Sequence, residues 1–324
     1  EKNAMKILIC GMGSIGVRHF RNLQTLGVTD IIFYSTRKST FPQVEEIMQG
    51  AQVFDSLHDA LAEMPDICMI TNPTSLHVRT AIEAAKHGCH LYIEKPISHT
   101  LEGLEELNRL IEMHNLISFV TYQFRFHPHI KLLCELVKQK DVYGDVIWAR
   151  AEWSEYLPDW HPWEDYTKGY SARSELGGGV LRTQIHPLNY LSFILGEISE
   201  LSVHCQASGH LGIDVDDLAD IHLSFENNVT ANVHVDYLQK PRVHTLTVVT
   251  NKGRFAWDCH ANELFFIDHA AKKTHFPNEN FERNDMFVSM LEHFLHCVET
   301  GKQSAFTVKE ATSELSKLLN AVKS

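Results

Sequence analysis

A glycine-rich turn near the N-terminus constrains the fold of this chain more than any other feature. Gly11, Gly13 and Gly16 form a GxGxxG pattern. The pattern follows the apolar run Lys6 to Cys10 and precedes a helical spacing of apolar residues from Ile15 to Leu26. A buried strand, a glycine turn and a helix in this order are typical of a unit that binds a dinucleotide, whereas an isolated GxGxxG pattern occurs in many turns.

Each glycine of the turn has its own expected role. Gly11 permits the tight turn, Gly13 lets the backbone approach a pyrophosphate, and Gly16 lets the helix pack closely on the strand. Ser14 and Ile15 open the helix, whose first backbone N–H groups and positive dipole end attract phosphates. We therefore predict that these five residues bind the phosphates of a dinucleotide cofactor.

Strand-like and helix-like segments continue to alternate up to about residue 120. This alternation predicts βαβ units and a doubly wound parallel sheet. Residues 1–121 are therefore expected to form a Rossmann domain. The further strands of that sheet are expected at Ile31–Tyr34, Val53–Phe54, Ile67–Ile70, His90–Ile93 and Ser118–Val120.

The rest of the chain predicts a second domain, residues 122–324, because 324 residues are too many for one ordinary core. Val146–Ser154 alternates like a half-exposed strand. Strand-like runs from Leu201 to Ile267, separated by turns, predict an antiparallel meander. The expected fold is α/β, with an α+β second domain built on a large open, mostly antiparallel sheet. Its helices are expected at Ile130–Val137, Leu188–Ile194, Phe287–Val298 and Val308–Val322.

Charge and composition exclude several classes of protein. The net charge of −12 and the lack of a Lys/Arg run argue against nucleic-acid binding. No apolar run is long enough to span a bilayer and no secretory leader is visible, so we expect a cytoplasmic protein. Neither the 21 histidines nor the seven cysteines have zinc-site spacing, and Asp214, Asp216 and Asp217 lack the other ligands of a calcium loop. We predict no metal.

The end of the second predicted strand bears on cofactor choice. An NAD site usually places an acid about 20 residues beyond the glycines. This chain has Ser35, Thr36, Arg37 and Lys38 there instead, and hydroxyls and cations suit a 2′-phosphate. We expect NADP to be favoured over NAD. The alternative is that Arg37 and Lys38 are solvated surface charges.

Glu94, Lys95 and Pro96 end the fifth predicted strand. Open parallel sheets bind ligands at the carboxyl ends of their strands, so Lys95 lies where a ligand is expected. Pro96 would restrict the direction of the chain as it leaves the strand. Spacing alone leaves open whether Lys95 is functional or a solvated surface lysine.

The order of four segments makes a resemblance specific. The chain resembles the Gfo/Idh/MocA oxidoreductases, which include glucose–fructose oxidoreductase and inositol dehydrogenase. The similarity covers nearly the whole chain. The matching segments are GMGSIGVRH from Gly11, TNPTSLHVRTAIEAAKHGCHLYIEKPIS from Thr71, YQFRFHP from Tyr122, and ELGGGVLRTQIHPLNYL from Glu175.

The resemblance implies a set of site residues. His186 matches the catalytic histidine of the family, and Lys95 would bind and polarise the reacting hydroxyl or carbonyl. Arg125 would lie near the nicotinamide or the substrate, and the second domain's sheet would form homodimers or homotetramers. The residues implied to line the cofactor are Thr71, Asn72, Pro73, His77, Glu94, Lys95 and Pro96.

The chain departs from the family pattern beside the histidine. Many relatives carry one aspartate before the histidine and another three residues after it, whereas this chain has Thr183 and Asn189. His186 would then lack a carboxylate that raises its basicity. We expect Thr183 and Asn189 to hydrogen-bond the substrate or to orient His186.

An aromatic segment between the predicted strands suggests a substrate class. Trp160, Trp163 and Tyr166 lie close together in sequence, and sugar rings stack well on indole faces. The segment is similar to WxPWEDY stretches of relatives from bacterial surface-polysaccharide pathways, which implies an amino- or deoxy-sugar, either free or nucleotide-linked. The alternative is an ordinary packed loop.

Three functions are consistent with these features. The first is an NAD(P)-dependent dehydrogenase or reductase acting on a CH–OH group of a sugar-like substrate. The second is a non-catalytic NADP-binding regulator, which the neutral Thr183 and Asn189 favour and the intact Lys95 and His186 oppose. The third is an enzyme whose NAD(P) stays tightly bound and is recycled.

Overall fold

A computed structural model describes residues 5–36, 38–39, 41–42 and 44–322. Its contacts divide the chain into two compact units. The first unit runs up to Thr121 and also includes Glu175–Gly177 and Phe287–Ser316. The second comprises Tyr122–Ser174, Gly178–Met286 and the chain from Lys317 onward.

The first unit contains a six-stranded parallel sheet, which confirms the predicted Rossmann fold. The strand order is β3-β2-β1-β4-β5-β6. The strands are β1 (Ile7–Cys10), β2 (Ile31–Tyr34), β3 (Gln52–Phe54), β4 (Ile67–Ile70), β5 (His90–Glu94) and β6 (Ser118–Thr121). The helices between them are α1 (Ser14–Thr25), α2 (Val44–Ile47), α3 (Leu57–Ala62), α4 (His77–Lys86) and α5 (Leu104–Met113).

Burial explains why these short apolar segments form strands. Every residue of β1, β4 and β6 is buried, as expected where helices cover both faces of a parallel sheet. Gly27 and Gly88 follow α1 and α4 with φ of 79° and 78°, a conformation that glycine adopts without the steric cost of a side chain. Because β1, β4 and β5 are parallel, the loops that follow them lie at the same edge of the sheet.

The second unit contains an eight-stranded sheet in the order β14-β13-β12-β11-β7-β10-β9-β8. Its strands are β7 (Val146–Ser154), β8 (Ile198–Gln206), β9 (Leu218–Phe225), β10 (Thr230–Asp236), β11 (Val243–Thr250), β12 (Gly253–Asp258), β13 (Glu263–Asp268) and β14 (Lys273–His275). Its helices are α6 (Pro128–Leu136), α7 (Lys140–Tyr143), α8 (Val180–Thr183) and α9 (His186–Leu195). The last two helices, α10 (Arg283–Thr300) and α11 (Val308–Val322), belong mostly to the first unit.

The mostly antiparallel character of this sheet is confirmed, but the predicted simple meander is wrong. β7 lies between β10 and β11, and it pairs with β10 in parallel. Alternating burial along β9, β10 and β11 reveals which face of each strand is covered, and it carries no information about strand neighbours. The meander therefore splits around a strand that comes much earlier in the chain.

Five of the cysteines are buried, while Cys205 and Cys259 are partly exposed. No helix among the described residues is long and apolar enough to cross a membrane.

Candidate active site

The glycine-rich turn from Gly11 to Gly16, called the phosphate turn below, has the backbone geometry that its sequence predicts. Gly11 has a φ of 107°, and a Cβ there would lie 2.7 Å from the backbone nitrogen of Asn72. A Cβ on Gly16 would collide with the carbonyl oxygen of Gly11, so helix and turn require that glycine. A Cβ on Gly13, in contrast, would meet nothing within 4 Å, and no side chain caps the start of α1. The turn therefore leaves an open approach to backbone N–H groups, which fits a pyrophosphate.

The residues after β2 are only partly covered by the structure. Ser35 is buried and Thr36 and Lys38 are exposed. Arg37, which carries much of the argument for NADP, lies outside the described residues.

The loop after β4 braces the phosphate turn. The Thr71 hydroxyl donates to the carbonyl oxygen of Gly11 at 2.7 Å and lies 3.1 Å from that of Cys10. Asn72 donates to the Thr80 hydroxyl at 3.0 Å, and Pro73 precedes a short 3-10 turn. Thr71 thus fixes the backbone of the glycine turn through its own hydrogen bonds.

His77 is buried rather than presented to a cleft, with 1% of its surface exposed. Its Nδ1 atom lies 2.9 Å from the carbonyl oxygen of Pro96, and its Nε2 atom lies 2.8 Å from that of Asn72. Burial lowers the pKa of His77, and the hydrogen bonds to these carbonyls oppose that effect without cancelling it.

Lys95 lies at the carboxyl end of β5, between two residues that are each held by a hydrogen-bond contact with a histidine. Glu94 accepts a hydrogen bond from His19 of α1, with 2.7 Å between Oε1 and Nε2. Pro96 is held through its carbonyl oxygen by His77, and the Lys95–Pro96 peptide bond is cis. The sequence assigned no role to His19, because it lies 75 residues from Glu94 and only the fold brings the two together.

His186 begins α9 in the second unit, inside a group of aromatic rings. The Trp153 ring stacks on it with 5.3 Å between centroids and an angle of 30°. Phe124 and Tyr122 meet it edge to face at 5.1 and 5.6 Å. Trp153 also stacks on His244, whose pKa burial lowers well below 6.5. Aromatic packing therefore fixes the plane of the His186 ring.

The two neutral residues beside His186 have partners in the second unit. Thr183 shares a short hydrogen bond with the hydroxyl of Tyr237, and it also donates to the carbonyl oxygen of Gly179. Asn189 accepts a hydrogen bond from Nε of Arg125 at 2.6 Å. The Arg125 guanidinium also lies over the ring of Phe193, 5.1 Å from its centroid. The predicted residues Arg125 and Asn189 thus form a pair.

The aromatic segment is more tightly packed than its sequence indicates. Trp160 packs edge to face on Tyr237 at 5.3 Å, and the Tyr166 hydroxyl donates to the carbonyl oxygen of Leu211. Trp163 is 43% exposed and stacks on His161. The cavity beside Trp160 and Tyr166 measures only about 20 Å³. Trp163 is therefore the most accessible ring of the three.

Asp216 has a structural role that the sequence did not reveal. Its carboxylate accepts the backbone N–H of Leu181 at 2.9 Å and lies against Gly179, where a Cβ would clash. Burial raises the pKa of Asp216.

Among the described residues no group of three His, Cys, Asp or Glu side chains is arranged to hold a metal ion.

Comparison with known proteins identifies the family. A model described as an oxidoreductase family with an NAD-binding Rossmann fold matches residues 5–122, and one described as a GFO/IDH/MocA C-terminal domain matches residues 131–256. The chain belongs to the GFO/IDH/MocA oxidoreductase family. It is therefore an NAD(P)-binding oxidoreductase, as the four segments of its sequence indicate.

Three proteins of named activity are similar to this chain. A D-xylose 1-dehydrogenase [NADP(+)] of Haloarcula marismortui is 22% identical over 79% of this chain and 71% of its own length. A levoglucosan dehydrogenase in complex with NADH and levoglucosan has a TM-score of 0.83 at 14% identity, over 98% of this chain and 97% of its own. A UDP-N-acetylglucosamine 3-dehydrogenase of Acidithiobacillus ferrooxidans has a TM-score of 0.79 at 18% identity, over 98% and 97%. These two structures establish the shared fold.

Proposed function

We propose that this GFO/IDH/MocA protein transfers a hydride between a nicotinamide cofactor and the hydroxyl or carbonyl carbon of a sugar or sugar derivative, with Lys95 and His186 as catalytic residues. The observation that carries the proposal is the placement of Lys95. It leaves the sheet at the carboxyl end of β5, between two residues that buried histidines hold in place. Ligands bind open α/β sheets at that edge.

Lys95 supplies charge at the reacting oxygen. The bound nicotinamide would accept or donate the hydride at its C4 atom. The Lys95 ammonium would hydrogen-bond the substrate oxygen and stabilise the negative charge that develops there. Because its chain neighbours are fixed, this cation would need little reorganisation during the reaction.

His186 would exchange the proton of the substrate hydroxyl. Imidazole titrates near neutral pH, so it can accept the proton during oxidation and return it during reduction. The stacked Trp153 ring would keep the imidazole in one orientation. Asn189 would act indirectly, because its amide oxygen holds the Arg125 guanidinium.

The proposed cofactor is NADP rather than NAD. Hydroxyl and basic side chains from Ser35 to Lys38 take the place of the acid that usually binds the ribose of NAD. The xylose dehydrogenase relative is named for NADP, which supports this choice, whereas the levoglucosan dehydrogenase structure holds NADH. Ser35 and Arg37 would bind the 2′-phosphate.

The proposed substrate is an amino- or deoxy-sugar, carried on a nucleotide. Relatives that act on xylose, levoglucosan and a UDP-linked amino-sugar support a sugar ring as the reacting part. The partly exposed Trp163 would offer its indole face to that ring. Trp160 and Tyr166 would shape the segment that presents it.

A second copy of the chain is the proposed partner, bound through the open face of the second unit's sheet. The open face of strands β7 to β10 contains a concavity with a volume of about 750 Å³. Its lining includes Arg150 and Trp148, and Trp148 is 40% exposed. Acid and base alternate across the same strands in the register Glu152, His234, Asp220, His204. A two-fold axis would set the acids of one copy over the histidines of the other.

Arg150→Glu should convert a dimer or tetramer to smaller species in sedimentation velocity experiments.

The first test measures cofactor binding before turnover. Intrinsic tryptophan fluorescence is followed while NADPH and then NADH are added to the wild type and to Arg37→Ala. We expect tighter binding of NADPH and a selective loss of NADPH affinity in the variant. If neither nucleotide binds at millimolar concentration, the proposed function is wrong.

The second test screens nucleotide sugars and free sugars for a change in nicotinamide absorbance. Lys95→Ala and His186→Asn should lower kcat at least a hundredfold while NADPH still binds. The control is Lys86→Ala, since Lys86 makes only exposed ion pairs with Glu83 and Glu106. NADPH binding without turnover would favour a regulator, and a reaction without release of NADPH would favour recycled cofactor.

A further inference from the structure

One buried imidazole connects the two loops on either side of the proposed nicotinamide site. His77 is the first residue of α4, and its ring nitrogens meet the carbonyl oxygens of Asn72 and Pro96 at 2.8 and 2.9 Å. Asn72 follows β4 and Pro96 follows β5, which are neighbours in the sheet. The ring therefore spans two consecutive loops at the carboxyl edge.

The chemistry of this contact is unusual because both acceptors are carbonyl oxygens. A neutral imidazole donates from one nitrogen only, and a protonated ring donates from both. The groups that face His77 are the carbonyls of Asn72, Pro96 and Ile97 and the carboxylate of Glu94, all of which favour the protonated ring. Burial acts against them and keeps the pKa below 6.5. The second hydrogen bond is therefore completed as the pH falls.

Each of the two loops leads to a different part of the proposed site. The Asn72 backbone lies so close to Gly11 that only glycine fits there, so this loop abuts the phosphate turn. Pro96 directly follows Lys95, and the residue before Lys95 is held by His19 of α1. Lys95 is thus linked to the phosphate turn by His77 on one side and to the phosphate-binding helix by His19 on the other.

We propose that His77 is a positioning residue that couples the cofactor loop at Asn72 to Lys95, so that one ring determines both nicotinamide binding and the position of the lysine. The inference rests on the proposed role of Lys95. It replaces the implied role of His77 as a cofactor contact. His77 itself would touch neither cofactor nor substrate.

Two variants and one control test this inference. His77→Phe keeps a flat ring and removes both ring nitrogens, whereas His77→Gln retains an amide donor that does not titrate. Because a displacement of about 1 Å at a reacting group can cost about a hundredfold in rate, we expect His77→Phe to lower kcat between about tenfold and a hundredfold. NADPH binding should weaken about tenfold, and the KM of the sugar should change much less. His77→Gln should recover part of both losses.

The control is His87→Phe just after the other end of α4, where an exposed imidazole lies 2.9 Å from the local carbonyl oxygen of Glu83. This variant should match the wild type in NADPH affinity and kcat. If His77→Phe fails to fold, His77→Gln carries the test through the pH dependence of NADPH binding. Wild-type affinity relative to that of the variant should rise as the pH is lowered below 6.5, because burial holds the pKa of His77 below that value.

Two outcomes would overturn the inference. A His77→Phe protein that melts earlier but keeps wild-type NADPH affinity and kcat would show that the imidazole serves stability alone. Identical pH profiles for wild type and His77→Gln would exclude the second hydrogen bond. If Lys95→Ala keeps full turnover, the proposed function fails separately, and NADPH affinity still decides whether His77 couples the loops.

Discussion

His19 and Glu94 form a buried hydrogen bond, 2.7 Å from Nε2 to Oε1, that joins the helix after the phosphate turn to the strand before Lys95. Burial by itself would raise the pKa of Glu94. The hydrogen bond and charge of His19 outweigh that effect and hold the pKa below 4.5. A lowered pKa in the folded state means that the carboxylate stabilises the protein above about pH 4.5, and this contribution is lost as the pH falls through the folded value.

The first prediction concerns the loss of this pair. His19→Leu leaves a buried carboxylate without its partner and should lower the free energy of unfolding by about 3 kcal/mol at pH 7. Glu94→Gln should cost less and flatten the decline in stability between pH 5 and 3. Urea unfolding at several pH values measures both effects. Glu83→Gln, in an exposed ion pair, is the matched control and should change neither.

A second prediction separates folding from cofactor binding within the phosphate turn. A methyl group on Gly13 would meet nothing within 4 Å, whereas one on Gly16 would strike the carbonyl oxygen of Gly11. Gly13→Ala should therefore keep its melting temperature and lose NADPH affinity, because the methyl group occupies the phosphate approach. Gly16→Ala should unfold at a lower temperature. Equal melting temperatures for the two variants would contradict this account.

The pair formed by Arg125 and Asn189 provides a third prediction. Asn189 is buried, and its amide oxygen accepts the Arg125 Nε–H at 2.6 Å. Asn189→Leu should destabilise the protein by about 1–3 kcal/mol, since the guanidinium loses a buried acceptor. Asn189→Asp should retain most of the stability at pH 7 and lose it in acid. Urea unfolding at pH 7 and 4 distinguishes the two, and equal stability of Asn189→Leu and wild type would refute the pairing.

The fourth prediction concerns the stability of the protein at alkaline pH and the contribution of His234 on the open face of the second unit's sheet. Hydrogen bonds to Asp236 and Asp220 raise the pKa of His234 to about 9. A raised folded-state pKa gives stability that is complete below about pH 6.5 and is lost as the pH rises through 9. Because a third of the side chain is exposed, solvent screening limits this contribution to about 1 kcal/mol.

Measurement of the unfolding free energy at pH 6.5 and 9.5 tests this prediction. Wild type should lose stability over that interval, and His234→Asn should lose about 1 kcal/mol less. His222→Asn is the control, since the His222 ring contacts the neutral amide of Asn232. A control variant that matches His234→Asn would assign the alkaline loss to other groups.

The first unit was the more predictable part of the fold. Apolar runs such as Ile67–Ile70 are strands whose faces are both buried, so their hydrophobicity marks them without ambiguity. Gly27 and Gly88 follow α1 and α4 with a positive φ, which glycine adopts at low steric cost. In the second unit, β7 was identified as a strand but its place beside β10 was not, since strand order depends on long-range pairing.

The sequence by itself predicted which residues form the proposed site. The glycines after the first strand and the lysine before a proline at the end of the fifth predicted strand stand out as local patterns, whereas the role of His186 comes from the family resemblance. Only the tertiary structure decided what holds these residues. His19 reaches Glu94 across 75 positions and Thr183 reaches Tyr237 across 54. Such contacts depend on how strands and helices pack in space, and no local pattern in the sequence encodes that packing.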